Sequence, residues 1–277
     1  MQQPKQKQRA VTQDKRYYAR KEAQRKREKK VRMERFLLCL LLIFAGFGFL
    51  IQGFHFSVQS SEEKEKEAVL SHTEEYPESL LNLLENNPET ADFVKDYLTE
   101  AEKEHKINLS NEVKKGVIPS FLQWDERWGY ETYGSDMIAI TGCGPTCLSM
   151  VVCGLTGDTS WSPLKVAQFA EKNEYYEAGS GSKWSLMSSG AEELGLTAKE
   201  LPLDENRVKE ELGQGNPIIC IMGPGDFTTS GHYIVMRGLS GDGQILINDP
   251  NSKKRTKEKW NFEDISSQIR NLWVYDV

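Results

Sequence analysis

Histidine and cysteine are both scarce in this 277-residue sequence, which limits the chemistry that it can support. Only one of the four histidines lies after residue 116, so acid–base catalysis by histidine in that part of the chain would depend on a single imidazole. No pair of cysteines has the CxxC spacing that is typical of a structural zinc site. We therefore expect no metal ion and no cofactor. The five cysteines are Cys39, Cys143, Cys147, Cys153 and Cys220. A disulfide among the last four is conceivable, but the sequence does not fix its pairing.

Charge of one sign dominates each part of the chain. Residues 1–35 contain 14 Lys or Arg and 4 Asp or Glu, a net charge of +10, whereas the remainder contains 21 and 37, a net charge of −16. Residues 36–51 carry no charge, and with the apolar residues up to 56 the stretch reaches about 20 residues, enough for a helix to cross a bilayer. The sequence therefore predicts a transmembrane helix over residues 36–56.

The charge difference also predicts an orientation. By the positive-inside rule, residues 1–35 form a basic cytoplasmic arm and the chain beyond the span is extracellular, as in a single-pass protein of the cell membrane. A cleaved signal peptide is the alternative, because Val58 and Ser60 are small enough for a cleavage site, but a basic region of this length is long for one. A buried soluble helix is disfavoured, since the stretch lacks a polar face. We attribute the basic arm to attraction by anionic lipids rather than by nucleic acid.

The composition changes at Val117. Residues 57–116 are acidic, and apolar clusters around Leu80 and Phe93 have helical spacing. This segment is predicted to be a stalk or linker with two short amphipathic helices that dock on the following domain. All six tryptophans lie in residues 117–277, which we predict to be the folded domain.

Within this domain the patterns predict helices first and strands later, the order of an α+β fold. Helices are predicted over residues 143–154, 163–172, 185–194 and 206–212. Strands are predicted over residues 217–222, 232–239, 244–248 and 272–275. The basic segment 253–259 is predicted to be a solvated loop.

The strongest local signal is TGCGPTC, residues 141–147. Pro145 fits only the first turn of a helix, and apolar residues follow it on all sides, so Cys143 begins a buried helix. The free N–H groups and the helix dipole at that position favour a thiolate and lower its pKa. A structural buried cysteine is the alternative, but it would not need the flanking glycines and proline. The cysteines without this setting are predicted to be core residues: Cys147, Cys153 and Cys220.

His232 is the only histidine of the domain, and its strand is joined to the next by a turn over residues 240–243. If Leu239 pairs with Gln244, His232 and Asp249 are diagonal neighbours on the same side of the sheet, roughly 7–8 Å apart at Cα. Asp249 can then orient the imidazole and stabilise its charged form, as the third member of a triad. The alternatives are a histidine of the core or of the sheet edge, and an aspartate that only forms a turn before Pro250.

Other residues are candidates for the oxyanion hole and the substrate cleft. Gln123, which lies 20 residues before Cys143, could donate to an oxyanion, although a surface position is equally compatible with the sequence. Two glycine-rich stretches, residues 179–184 and 223–231, could line the cleft, with ordinary surface loops as the alternative. The candidates for substrate contact are Gly142, Gly144, Trp184 and Gly231.

In chain order, these elements resemble the papain-like peptidase family related to the bacteriocin-leader-processing (double-glycine) peptidases. The resemblance covers about residues 117–277 and rests on Ile118-Pro119, Gln123-Trp124-Asp125, Trp128-Gly129-Tyr130, the residues from Gly142 to Thr146, Gly231-His232 and Asn248-Asp249-Pro250. It implies a papain-like cysteine peptidase fold, in which a central helix with the cysteine packs on an antiparallel sheet with the histidine. It also implies a Cys143–His232 dyad, Asp249 as the orienting residue and Gln123 in the oxyanion hole. The single span, the lack of an ATPase motif and the longer Gln-to-Cys spacing than in papain are departures from the pattern.

We therefore expect a membrane-anchored bacterial cysteine peptidase that acts outside the membrane through an acyl-enzyme. Its expected partners are a peptide or protein substrate and membrane lipid, with no nucleic acid. A cell-wall peptide amidase or endopeptidase is an enzymatic alternative, and an inactive papain-like binding module is a non-enzymatic one. The complete Cys–His–Asp set disfavours the binding module.

Overall fold

The computed structural model describes residues 63–277 and, before them, Met33. The predicted basic arm (apart from Met33) and the predicted transmembrane helix, residues 36–56, lie outside the described residues. In the part of the chain that is described, no helix is both long and apolar enough to cross a membrane. Residues 63–277 fall within one compact unit, Glu62–Val277.

The described part of the acidic segment, residues 63–116, is largely helical up to residue 100. Helix α1 spans Glu78–Asn86 and α2 spans Ala91–Glu100, while residues 63–70 are also helical and short 3-10 turns cover Thr73–Glu75 and Pro88–Thr90. Leu80, Leu84 and Phe93 are buried with Trp124 and Ala139 of the following domain in one apolar cluster. Both helices therefore dock on that domain, as their apolar spacing predicts.

Helix α4 is the buried central helix of the domain. It spans Cys143–Thr156 and follows the short helix α3, Ile138–Thr141. The eleven residues from Gly144 to Gly154 are all buried, because apolar side chains occur on every side of the helix. Gly157 ends α4 with a left-handed φ of 79°, a conformation that glycine adopts without strain. Helix α5, Pro163–Lys172, packs beside α4 and has the predicted bounds.

A six-stranded antiparallel sheet packs against α4. Its strands are β5 (Thr197–Glu200), β6 (Ile218–Met222), β7 (His232–Leu239), β8 (Ile245–Asn248), β9 (Lys259–Trp260) and β10 (Ile269–Asp276). Their order in the sheet is β5-β10-β6-β7-β8-β9. Two small hairpins precede it, β1 (Thr132–Tyr133) with β2 (Asp136–Met137), and β3 (Tyr176–Glu177) with β4 (Gly181–Ser182). The helices after α5 are α6 (Ser189–Glu193), α7 (Glu205–Gln214), α8 (Lys253–Lys257) and α9 (Phe262–Ser266).

The sheet separates two apolar clusters, because successive residues of a strand point to opposite faces. Tyr233 and Val235 of β7 belong to the cluster that contains the α4 side chains. Ile234 and Met236 of the same strand belong to a second cluster, which includes residues of α7 and α9 such as Val208. The predicted α+β class is confirmed by this arrangement, which is compatible with a papain-like fold.

The predicted pairing of Leu239 with Gln244 is wrong, although the resulting alignment near the site is right. Leu239 pairs with Ile245, and a bulge at Arg237 then shifts the register by one residue, so that Val235 pairs with Asn248. Beyond the bulge the register is the one that the sequence analysis assumed. His232 and Asp249 therefore come together despite the error at the turn.

Two other local predictions are wrong. Residues 185–194 do not form one helix: a 3-10 turn, Trp184–Leu186, is separated from α6 because the backbone of Ser188, at φ −108° and ψ −90°, leaves the helical region. The basic segment after Ser252 is not a plain loop, since it forms α8. The Ser252 hydroxyl accepts a hydrogen bond from the N–H of Arg255 at 3.0 Å and so caps that helix.

Candidate active site

Cys143 is the first residue of α4 and is only partly buried, unlike the residues that follow it. Burial raises the pKa of its thiol, but the hydrogen bond and positive charge of His232 outweigh that effect. The backbone N–H groups of Tyr233 and Gly144 lower the pKa further. The net result is a pKa below the ordinary value for cysteine, which favours the nucleophilic thiolate.

His232 is the first residue of β7 and is buried against Asp249. Its Nε2 lies 2.8 Å from Asp249 Oδ1, so this nitrogen donates to the carboxylate. Burial alone would lower the pKa of the imidazole, but the charge and hydrogen bond of Asp249, together with Cys143, raise it to about 10. With Nε2 engaged, Nδ1 is the nitrogen left for the thiol. Both directions favour a thiolate–imidazolium pair over the neutral thiol and imidazole.

The Asp249 carboxylate is fully buried and has a partner at each oxygen. Oδ1 accepts hydrogen bonds from His232 and from the N–H of Asn251 at 2.7 Å. Oδ2 accepts from Nε of Arg255 at 2.5 Å. Burial raises the pKa of this carboxyl, but the positive charges of His232 and Arg255 lower it below the usual range. Asp249 is thus an ionised group in a site built to hold it.

Arg255 is a site residue that the sequence does not predict, since it falls in the segment expected to be a solvated loop. The available signal was Ser252, a favoured N-cap residue, followed by residues compatible with a helix. A helix starting there turns the arginine back toward the strand end that carries Asp249. The arginine adds a second positive charge, beside the imidazolium, to balance the buried carboxylate.

Gln123 is 3% exposed and lies at the cleft with Cys143. Its backbone N–H donates to Pro250 O at 2.8 Å, and its side-chain Nε2 donates to Ala139 O at 2.7 Å. The amide nitrogen has a second hydrogen, which is left for another acceptor. Its Oε1 is buried and has no hydrogen-bond partner among the described residues. The alternative of a surface glutamine is therefore wrong.

Cys143, His232 and Gln123 meet in a cleft of about 540 Å³. One wall is the loop Gly225–Gly231, which leads directly into His232 and includes the predicted contact residue Gly231. A second wall comes from α1 and the residue that follows it, so the acidic segment contributes to the cleft. The residues of this second wall are Ser79, Asn82, Leu83, Asn86 and Asn87.

Gly142, Gly144 and Trp184 are not among the residues that line this cleft. A Cβ on Gly142 would lie 2.5 Å from Ile138 O, and one on Gly144 would lie 2.4 Å from Ser182 Oγ. These glycines therefore permit close packing around α4, rather than the approach of a substrate. Trp184 is half exposed, and its ring packs edge-on against Trp273 at 5.8 Å. The stretch 179–184 is thus a hairpin that packs against the helix start.

The remaining cysteines of the described chain differ from Cys143. Cys147, Cys153 and Cys220 are free and fully buried, which confirms them as core residues. Burial raises the pKa of each of the three thiols. Within residues 63–277, no group of three or more His, Cys, Asp or Glu side chains is placed to hold a metal ion.

The profile of the Peptidase_C39 like family matches residues 117–276, more than half of the chain. The chain belongs to this Peptidase_C39-like family. The match confirms the resemblance to papain-like peptidases that the motifs indicated. Family membership indicates a cysteine peptidase with a peptide or protein substrate. A comparison with curated proteins found no match.

Proposed function

We propose that this protein is a membrane-anchored cysteine peptidase that hydrolyses peptide bonds outside the membrane. Cys143 is the nucleophile, His232 the acid–base group, Asp249 the residue that orients it, and Gln123 an oxyanion donor. The observation that carries the proposal is the buried hydrogen bond from His232 Nε2 to Asp249 at 2.8 Å, beside a thiol of lowered pKa. Such a set is the activated nucleophile of covalent catalysis.

The first half of the reaction forms an acyl-enzyme. The Cys143 thiolate attacks the carbonyl carbon of the peptide, and the carbonyl electron pair moves onto oxygen. Nε2 of Gln123 and the backbone N–H of Cys143 donate to this oxyanion, which they bind more strongly than the ground-state carbonyl. When the oxyanion collapses, the C–N bond breaks and His232 Nδ1–H protonates the leaving amine.

The second half releases the product. Neutral His232 takes a proton from water, and the resulting hydroxide attacks the thioester carbonyl. The C–S bond then breaks, which returns a carboxylic acid to solution and a thiolate to Cys143. The imidazolium is restored in the same step. The Asp249 carboxylate stabilises the imidazolium in each step where it forms and keeps Nδ1 directed at the sulfur.

Peptide-library profiling of the full-length protein in detergent tests the activity. The wild-type protein should cleave a subset of peptides, and Cys143→Ala should cleave none. Cys220→Ala is the matched control, because it removes a buried thiol from the opposite face of the sheet. Equal cleavage by wild type and Cys143→Ala would rule out the proposed nucleophile.

The membrane anchor is supported by the charge-free stretch 36–56 after an arm of net charge +10. A protease added to intact cells should remove residues 117–277 from the cell surface. Full protection of these residues, with degradation only after lysis, would place the peptidase on the other side of the membrane.

A further inference from the structure

Two residues that bind the Asp249 carboxylate lie two and six positions after it in the chain. Asn251 donates its N–H to Oδ1, and Arg255, in α8, donates Nε to Oδ2. We call residues 249–257 the acid loop. Because each carboxylate oxygen has a partner in this loop, the position of Asp249 relative to His232 depends on what fixes the loop.

One attachment of the acid loop comes from Asn87, the residue after α1. Its side-chain Nδ2 donates to Asn251 O at 2.5 Å and approaches Asn251 Oδ1 at 3.2 Å. The amide is itself oriented, since its Oδ1 accepts from the N–H of Glu89 at 3.2 Å. Asn87 is 8% exposed, so water competes little for these hydrogen bonds. The same residue, Asn251, thus binds Asn87 through its C=O and Asp249 through its N–H.

A second attachment comes from Glu89. Its Oε1 accepts from the hydroxyl of Ser252 at 2.5 Å, and Oε2 accepts from the N–H of Lys254 at 3.2 Å. Ser252 in turn caps the first turn of α8 by accepting from the N–H of Arg255. Glu89 therefore fixes the start of the short helix that presents Arg255 to Asp249.

We propose that Asn87 and Glu89 are positioning residues of this active site, which act through the acid loop on Asp249 and hence on His232. The inference rests on the proposed function, in which Asp249 orients the catalytic imidazole. Both residues precede residue 117 and lie outside the range matched by the family profile. The acidic segment therefore helps to position the catalytic residues, in addition to connecting the peptidase to the membrane.

Loosening the acid loop has a consequence for the thiol. The groups that face Asp249 are His232, Arg255 and the buried thiol of Cys147. If the carboxylate moves away from His232, the imidazolium loses stabilisation, and so does the thiolate paired with it. Loss of one ordinary hydrogen bond from the series of contacts that links Asn87 to Asp249 and His232 should raise the apparent pKa of Cys143 by about 0.5 to 1 unit.

Alkylation of Cys143 by iodoacetamide as a function of pH measures this pKa on the full-length protein. In Asn87→Ala the rise of the alkylation rate with pH should move to higher pH by about 0.5 to 1 unit. In Glu89→Gln the shift should have the same direction and be smaller. The matched control for the charge change is Glu85→Gln, on the exposed side of α1, which should match wild type. Asn111→Ala, at an exposed position, is the control for loss of an amide.

A coupling test separates positioning from general stability. If Asn87 acts through Asp249, adding Asn87→Ala to Asp249→Asn should produce no further shift. A pKa of Cys143 that is unchanged by both Asn87→Ala and Glu89→Gln would overturn the proposal, even if the melting temperature fell. A full additional shift of this pKa when Asn87→Ala is added to Asp249→Asn would also overturn it. Should Asn87→Ala fail to fold, Glu89→Gln decides the question. Alkylation requires no peptide substrate, so absence of peptidase activity would count against the proposed function without affecting this test.

Discussion

Replacement of Asp249 by asparagine should slow the reaction while leaving the shape of the site almost unchanged. The asparagine oxygen can accept from His232 Nε2 only if the asparagine NH₂ group faces Arg255 Nε. Both of these nitrogens are donors, so the hydrogen bond to Arg255 is lost. In the flipped orientation the amide donates to His232 Nε2 and forces the proton onto Nδ1. That tautomer cannot take a proton from Cys143. Either orientation therefore weakens the thiolate–imidazolium pair.

The size of the effect follows from the bond that is lost. A hydrogen bond to a charged group contributes about 1.5–3 kcal/mol. If the whole loss falls on the transition state, kcat/KM drops about 10- to 150-fold, since about 1.4 kcal/mol corresponds to a factor of ten. The variant should also be less stable, because Arg255 is left without its buried counterion.

The assay is kcat/KM on a peptide selected from the library, together with the melting temperature. Asp242→Asn is the matched control, because that carboxylate is exposed and its partners, Ser240 and Lys259, lie at the surface away from the cleft. The control should keep the wild-type rate. A folded Asp249→Asn protein with more than half of the wild-type kcat/KM would refute the reasoning.

Three further predictions follow from the geometry. Gln123→Ala should lower kcat about 10²- to 10³-fold with little change in KM, since the oxyanion forms only after substrate binding; a change in KM alone would contradict the oxyanion role. Gly144→Ala should lower the free energy of unfolding in urea by about 1–3 kcal/mol, because its Cβ would lie 2.4 Å from a hydroxyl. Gly213→Ala in α7 has open space around its Cβ and should raise that free energy by about 0.5–1 kcal/mol. Peptidase activity should fall as pH rises through about 10, because His232 then lacks the proton for the leaving amine; a decline already complete near neutral pH would contradict the ion pair.

The parts of the site that the sequence could predict are those governed by local rules. The position of Cys143 at the start of a buried helix is predictable because glycine and proline beside an apolar run leave few alternatives for the backbone. His232 was identified because it is the only histidine after residue 116. Its partner Asp249 followed from strand pairing, although the turn register was off by one residue and a bulge at Arg237 compensated.

The parts that the sequence could not predict depend on contacts between distant residues. Asn87 and Asn251 are 164 positions apart, and no periodicity in either segment indicates the other. Gly144 shows that a local pattern can also be ambiguous. A missing side chain at this position could permit either the approach of a substrate or close packing of the protein. Only the position of Ser182 opposite it decides between the two.

The most direct test of the central claim is labelling of the native full-length protein with a thiol-directed probe. Cys143 should react far faster than the buried thiols of Cys147 and Cys220, and its reaction should slow markedly in His232→Ala. Equal labelling of the three cysteines, or an unchanged rate at Cys143 in His232→Ala, would contradict an activated thiolate at the start of α4.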